Sequence, residues 1–249
     1  MFVQFGALAI GLLVIAVLAD NPMHEGFVYL NEVDPTIIQS VKYCKEENFV
    51  GRPIKGYEAC EIIITKKTAE RLKYVQSKVN QLGYGLVVYD GYRPIRAVND
   101  FIDWSQDLVN QQNKNLYYPR IDKSKAVEFG YLSSKSSHIR GSSVDVTLIK
   151  IGGNIKPIVI EARYLNDGYK IPYLDDGTVD MGTSFNFFDV ASYQFSPLIE
   201  SYQQNNRDLL KYEMEEAGFR GYNKKWWHFT LEDEPHKERY FDFIIKPKR

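Results

Sequence analysis

Apolar and polar positions alternate along this chain in two distinct rhythms. Ala69, Leu72, Val75, Val79 and Leu82 recur every three or four residues, the spacing that puts one apolar stripe on a helix. Thr65 or Thr68 is placed to cap its start, and Gly83 to end it. The β-rich run Glu61, Ile62, Ile63 and Ile64 precedes this helix, and Gly85, Leu86, Val87, Val88, Tyr89 and Asp90 follow it as a buried strand. Gly91, Tyr92, Arg93 and Pro94 turn out of that strand. Pro94 opens a second helix through Val98 and Phe101, since proline is tolerated in a first turn. Further on the rhythm changes to two. Val144, Val146 and Leu148 alternate with Asp145 and Thr147, a strand with one core face that sends Asp145 the other way, toward a cleft or solvent. Residues 151–180 are rich in Gly, Asn, Asp and Pro and read as a long insertion or hairpin. A polar helix over residues 197–217 turns Leu209, Leu210 and Met214 inward and stops at Gly218. Trp226 to Leu231 closes the pattern as an aromatic and β-branched strand. Strands and helices mix without a βαβ rhythm, so the expected fold is α+β: a single domain over residues 20–249 with a central antiparallel sheet flanked by helices.

The first residues follow another pattern. Residues 2–19 are apolar apart from Gln4 and end in Val17, Leu18 and Ala19 before Asp20. This reads as a signal peptide cleaved after Ala19, although no Lys or Arg precedes the apolar run. The same length also suits an uncleaved membrane anchor. Export, to a periplasm for example, follows from either reading. A cytoplasmic protein follows if translation starts at Met23.

Composition narrows the rest. With 249 residues, 44% hydrophobic and 25% charged, the chain has ordinary globular proportions. Its formal net charge of -1 gives no basic footprint for nucleic acid. Cys44 and Cys60 are the only cysteines. Without a CxxC or CxH spacing they do not read as metal ligands, and either a disulfide or two buried thiols fits them.

Chemistry concentrates in two places. Ser136, Ser137, His138, Ile139, Arg140 and Gly141 lead to Asp145, and Trp226 and Trp227 precede His228. A Ser/Gly-rich loop can present an imidazole without burying it, and Asp145 follows on a strand seven residues later. Two imidazoles and a carboxylate are a donor set for a catalytic zinc, which keeps its fourth position open. Taken by themselves such residues are more often unrelated: a satisfied core histidine, a second histidine and a solvated acid.

Ordered motifs along most of the chain decide between these. Gly26-Phe27-Val28-Tyr29-Leu30-Asn31-Glu32, Tyr89-Asp90-Gly91-Tyr92-Arg93-Pro94, the serine–histidine stretch through Asp145, Met181-Gly182-Thr183-Ser184-Phe185, Trp226-Trp227-His228 and Asp233-Glu234-Pro235 together resemble the D-alanyl-D-alanine dipeptidases of the vancomycin-resistance type. These are zinc peptidases of the hedgehog/DD-peptidase fold. The resemblance implies one Zn2+ on His138, Asp145 and His228, a D-Ala-D-Ala or related cell-wall peptide as substrate, and Arg93 stabilising the charge of the tetrahedral intermediate. It implies that Ser136 hydrogen-bonds the substrate and sets Trp226 and Trp227 beside the metal ligand, where a plain core role suits them as well.

Two positions depart from the family. The glutamate that takes a proton from the attacking water and passes it to the leaving amine is here Lys225. The aspartate that holds the substrate's ammonium is Asn186. A lysine with a reference pKa of about 10.4 must lose roughly 4–5 kcal/mol of proton affinity to act as a base at pH 7. A net +1 charge about 5 Å away supplies only about 3 kcal/mol at an effective dielectric near 20. A protonated Lys225 turned to solvent is the simpler expectation. The sequence therefore leaves a peptidase of lowered activity, a zinc- and peptide-binding protein that does not cleave, and an inactive copy all open.

Overall fold

The computed structural model describes residues 23–248. The apolar leader lies outside them. Among the described residues no helix is long and apolar enough to cross a membrane.

A five-stranded sheet organises the molecule in the order β2-β4-β5-β9-β8. Its strands are β2 (Ile38–Gln39), β4 (Tyr84–Asp90), β5 (Ser143–Lys150), β8 (Phe219–Tyr222) and β9 (Lys225–Leu231). All neighbours pair antiparallel except β2 with β4. A short antiparallel pair, β1 (Phe27–Tyr29) with β3 (Ile63–Thr65), sits beside it. Five α-helices lie among the described residues: α1 (Leu30–Val33), α2 (Lys66–Gln81), α3 (Ile95–Gln106), α4 (Lys114–Tyr117) and α5 (Ser201–Glu216). The expected α+β single domain is the observed one.

The local signals act where the sequence placed them. Thr65, not Thr68, is the α2 cap: its hydroxyl accepts from the Thr68 amide at 3.3 Å. α2 buries Ala69, Leu72, Val75 and Val79 completely, while Leu82 at its end stays 49% exposed. Pro94 is the residue before α3 rather than its first turn. α5 begins at Ser201, four residues later than the polar pattern suggested. Gln203 Oε1 accepts from the Glu200 amide at 2.9 Å and fixes that start. Leu210 and Met214 are fully buried. Arg207, in the middle of this polar helix, is fully buried too. It donates to the carbonyls of Met181 (2.7 Å), Ala191 (2.9 Å) and Tyr193, so the helix clamps the segment that carries Asn186. Residues 151–180 contain the expected hairpin, β6 (Val159–Tyr164) with β7 (Lys170–Asp175).

Cys44 and Cys60 form a disulfide. The loop it closes is also held by Asp100 of α3, which accepts from Arg52 at 2.7 and 2.9 Å and from the Lys55 amide at 3.1 Å.

Candidate active site

Strand register builds the site. Asp90 at the end of β4 pairs with Asp145 on β5, and Asp145 pairs with His228 on β9. One row across three strands thus carries two carboxylates and an imidazole. The alternation of β5 does face Asp145 away from the Val144, Val146 and Leu148 core. It points into the cleft wall rather than to solvent, because Asp145 is only 2% exposed.

His138 reaches this row from a 3-10 turn, Ser137–Arg140, which begins where Ser136 Oγ accepts from the His138 amide at 3.4 Å. Gly141 then returns the chain to β5 with φ of 73°. A Cβ at Gly141 would lie 2.1 Å from the Phe27 ring, so this corner excludes every other residue type.

Three atoms converge. His138 Nε2 lies 3.2 Å from Asp145 Oδ1 and 3.1 Å from His228 Nδ1, and His228 Nδ1 lies 3.0 Å from the same carboxylate oxygen. The far side of each ring explains the near side. His138 Nδ1 donates to the Gly91 carbonyl at 2.7 Å, which leaves the Nε2 lone pair facing the cluster. His228 Nε2 faces the hydroxyls of Ser137 at 3.4 Å and Thr230 at 3.3 Å, which can accept its proton. Burial lowers the pKa of both imidazoles and favours their neutral, lone-pair form. Three electron-pair donors this close repel one another unless a cation lies between them. Tetrahedral zinc with bonds of about 2.0–2.2 Å would set its ligands roughly 3.3–3.6 Å apart, slightly wider than the spacing found. The donor set fits such an ion.

Arg93 stands beside the cluster. Its Nε and Nη2 donate to Asp90 Oδ2 at 3.0 and 2.7 Å, and Nη2 lies 3.5 Å from Asp145 Oδ2. The guanidinium rests on the rings of Tyr43 and Phe101, 5.2 and 5.1 Å from their centroids. Asp90 in turn accepts from Tyr57 at 2.7 Å.

A cavity of about 460 Å³ opens at this point. Arg93, Ser136, His138, Lys225 and His228 all line it. Lys225 is therefore not turned away to solvent. Strict alternation on β9 would set it on the opposite face from His228, but the register of β8 against β9 shifts between Gly221 and Tyr222 and breaks that alternation. Burial pulls the Lys225 amine down to about 8, partly opposed by Asp145. Asn186 is not in the lining. It is buried, with φ of 63°, and shares a hydrogen bond of 3.0–3.2 Å with the Tyr43 hydroxyl. Trp226 and Trp227 do not line the cavity either. They are 2% and 1% exposed core residues, and Trp226 donates to Thr183 at 3.0 Å. Glu234 is committed to Arg140 at 2.7 and 2.8 Å.

The sequence of the described core matches the profile of the D-ala-D-ala dipeptidase family over residues 23–156 and 173–246. The chain belongs to this family. The stretch passed over carries β6 and the first residues of β7, none of which touches the cavity. Among curated relatives, a D-alanyl-D-alanine dipeptidase of Enterococcus faecium is 38% identical over 224 residues, 90% of this chain and 100% of that protein. One of Enterococcus faecalis is 36% identical over the same span. One of Streptomyces coelicolor is 33% identical over 220 residues, 88% of this chain and 98% of its own length. As a member of a dipeptidase family the chain is placed among the peptide hydrolases.

Sequence reasoning passed over the residues that orient the cluster: Asp90 under Arg93, the Gly91 carbonyl behind His138, and Ser137 and Thr230 behind His228. Thr230 was within reach, since it lies two residues from His228 on the same strand face. The Gly91 carbonyl carried no side-chain signal at all.

Proposed function

We propose that this protein is a zinc peptidase of the D-Ala-D-Ala dipeptidase type in which Lys225 keeps turnover low. The observation that carries this is the content of the cavity. It holds two imidazoles whose lone pairs meet the Asp145 carboxylate, together with Arg93 and Ser136, yet among the described residues no Asp or Glu side chain lines it. His138, Asp145 and His228 would hold the zinc. When bound, the ion polarises the scissile carbonyl and makes water a nucleophile near neutral pH.

The remaining work falls to the chain's own side chains. Arg93 is fixed by Asp90 through Nε and Nη2, so its charge is already oriented toward an oxyanion beside Asp145. A donor of this kind is worth about 10²–10³ in rate. Ser136 offers its hydroxyl at the cavity wall, partly committed to the His138 amide. Lys225 occupies the base position, where the ammonium that prevails below a pKa of about 8 can give a proton but not take one. Loss of a general base costs on the order of 10²–10⁴ in rate. No neighbouring carboxylate replaces it, because Glu234 is held by Arg140. Asn186 holds the position of the family's ammonium-binding aspartate, one contact away from Arg93 through Tyr43. Residues 1–19 would direct export of a domain formed by residues 20–249, toward cell-wall peptides.

The test compares D-Ala-D-Ala hydrolysis by zinc-loaded wild type and Lys225→Glu. The variant is expected to be faster by about 10² or more. Equal rates from two active proteins would remove the role given to Lys225. If Lys225→Glu binds zinc yet stays inactive, addition of Asn186→Asp is expected to restore turnover. The acid-free lining also supports a second reading: a protein that holds zinc and peptide without cleavage. For that protein even the double variant gives no product while peptide binding persists.

A further inference from the structure

The charge of the cavity does not follow from that of the chain. Lys and Arg number 31 against 32 Asp and Glu, but among the described residues the lining contains Arg93, Lys135, Arg140, Arg220 and Lys225 and no acidic side chain. Asp90 neutralises Arg93, and Glu234 neutralises Arg140. Among the described residues, no carboxylate forms an ion pair with Lys135, Arg220 or Lys225. Lys135 and Arg220 are exposed at the mouth, whereas Lys225 is half-buried.

Lys225 lines the same cavity as His138 and His228. Its Nζ lies 6.0 Å from the Tyr222 ring centroid, and that ring lies 6.0 Å from the His228 ring. An unpaired, partly desolvated ammonium in a cleft attracts an anion more strongly than a surface lysine does. The same field repels a free peptide ammonium, for which the lining offers no carboxylate. Asn186, neutral and bonded to Tyr43, does not supply one.

We propose that the cleft selects peptides whose amino end is acylated by an anionic group, with Lys225 as the specificity-determining residue and Arg220 and Lys135 drawing the anion in. This rests on the reading that a peptide sits beside His138, Asp145 and His228. A zwitterionic dipeptide leaves one end unmatched here. A peptide capped by an anionic group offers that group to Lys225.

Calorimetric titration of zinc-loaded protein with N-succinyl-D-Ala-D-Ala, N-acetyl-D-Ala-D-Ala and D-Ala-D-Ala tests this. Affinity is expected to fall in that order, by about 10-fold or more from first to last at low salt, and the gap to narrow as salt rises. Lys225→Met, with fold and zinc content retained, is expected to close most of the gap, and Arg220→Gln to narrow it. Equal affinity for the succinyl and free peptides overturns the proposal, as does a ratio that Lys225→Met leaves unchanged. If none of the three binds to folded, zinc-loaded protein, the peptide-site reading itself fails and this inference falls with it.

Discussion

At the scale of single residues, the candidate site depends on atoms that face away from it. His138 and His228 can offer lone pairs to one point because Gly91, Ser137 and Thr230 take the opposite ring nitrogens. Such supporting partners usually matter 10- to 100-fold in metal affinity. Ser137→Ala combined with Thr230→Val is therefore expected to weaken zinc binding by about 10-fold or more while the circular dichroism spectrum stays that of wild type. An unchanged zinc dissociation constant, measured by competition with a chelator, would remove these hydroxyls from the account. Lys225 shows a different dependence. Its identity is plain in the sequence, but its direction is set by a shift of strand register that no single residue announces.

At the scale of elements, α3 and the loop from Cys44 to Cys60 are joined through one carboxylate. Asp100 is 1% exposed. Burial raises its pKa, but the hydrogen bonds from Arg52 and the Lys55 amide outweigh that, and it lies below its ordinary value of 3.8. A group whose folded pKa is depressed stabilises the fold fully above its unfolded pKa and loses that contribution as pH falls through the folded value. Asp100→Asn is expected to cost about 1.5–3 kcal/mol at pH 7, the range for hydrogen bonds to a charged group. The difference from wild type should shrink as pH drops below about 4. Urea unfolding at pH 7 and pH 3 measures it, and a gap independent of pH would mean that packing rather than the charge holds the loop. Arg207 does similar work for α5, tying three backbone carbonyls of the segment around Asn186 to one helix. The polar pattern of α5 hides this, since an arginine buried on carbonyls and one in water look alike in a sequence.

At the scale of the whole molecule, the three converging residues come from a turn and two strands separated by up to 90 positions. An unfolded chain cannot bring them together, so a bound ion stabilises only the folded state. Zinc at 100 times its dissociation constant is expected to add about 2.7 kcal/mol. For a domain of this size that raises the melting temperature by roughly 5–10 °C, and a chelator should reverse it. A melting curve unmoved by zinc would remove His138, Asp145 and His228 as a metal site. The hairpin of β6 and β7 leaves this arrangement untouched, because it stands clear of the cavity.

The sequence alone determined the elements and the donor set. The three- and four-residue spacing from Ala69 to Val79 dictates α2, the alternation through Val146 dictates β5, and the motifs around His138 and His228 mark the family. These signals are local: each needs only its neighbours in the chain to be read. Tertiary structure decided where the donors meet and what surrounds them. The row of Asp90, Asp145 and His228 exists only once β4, β5 and β9 pair in register. Trp226 and Trp227 became core residues because their strand lies inside the sheet, and Cys44 and Cys60 a disulfide because the loop between them folds back. The cationic cavity is the clearest case. Its side chains come from distant stretches of a chain whose charges nearly balance, and only folding could gather the unpaired cations on one side of the three donors.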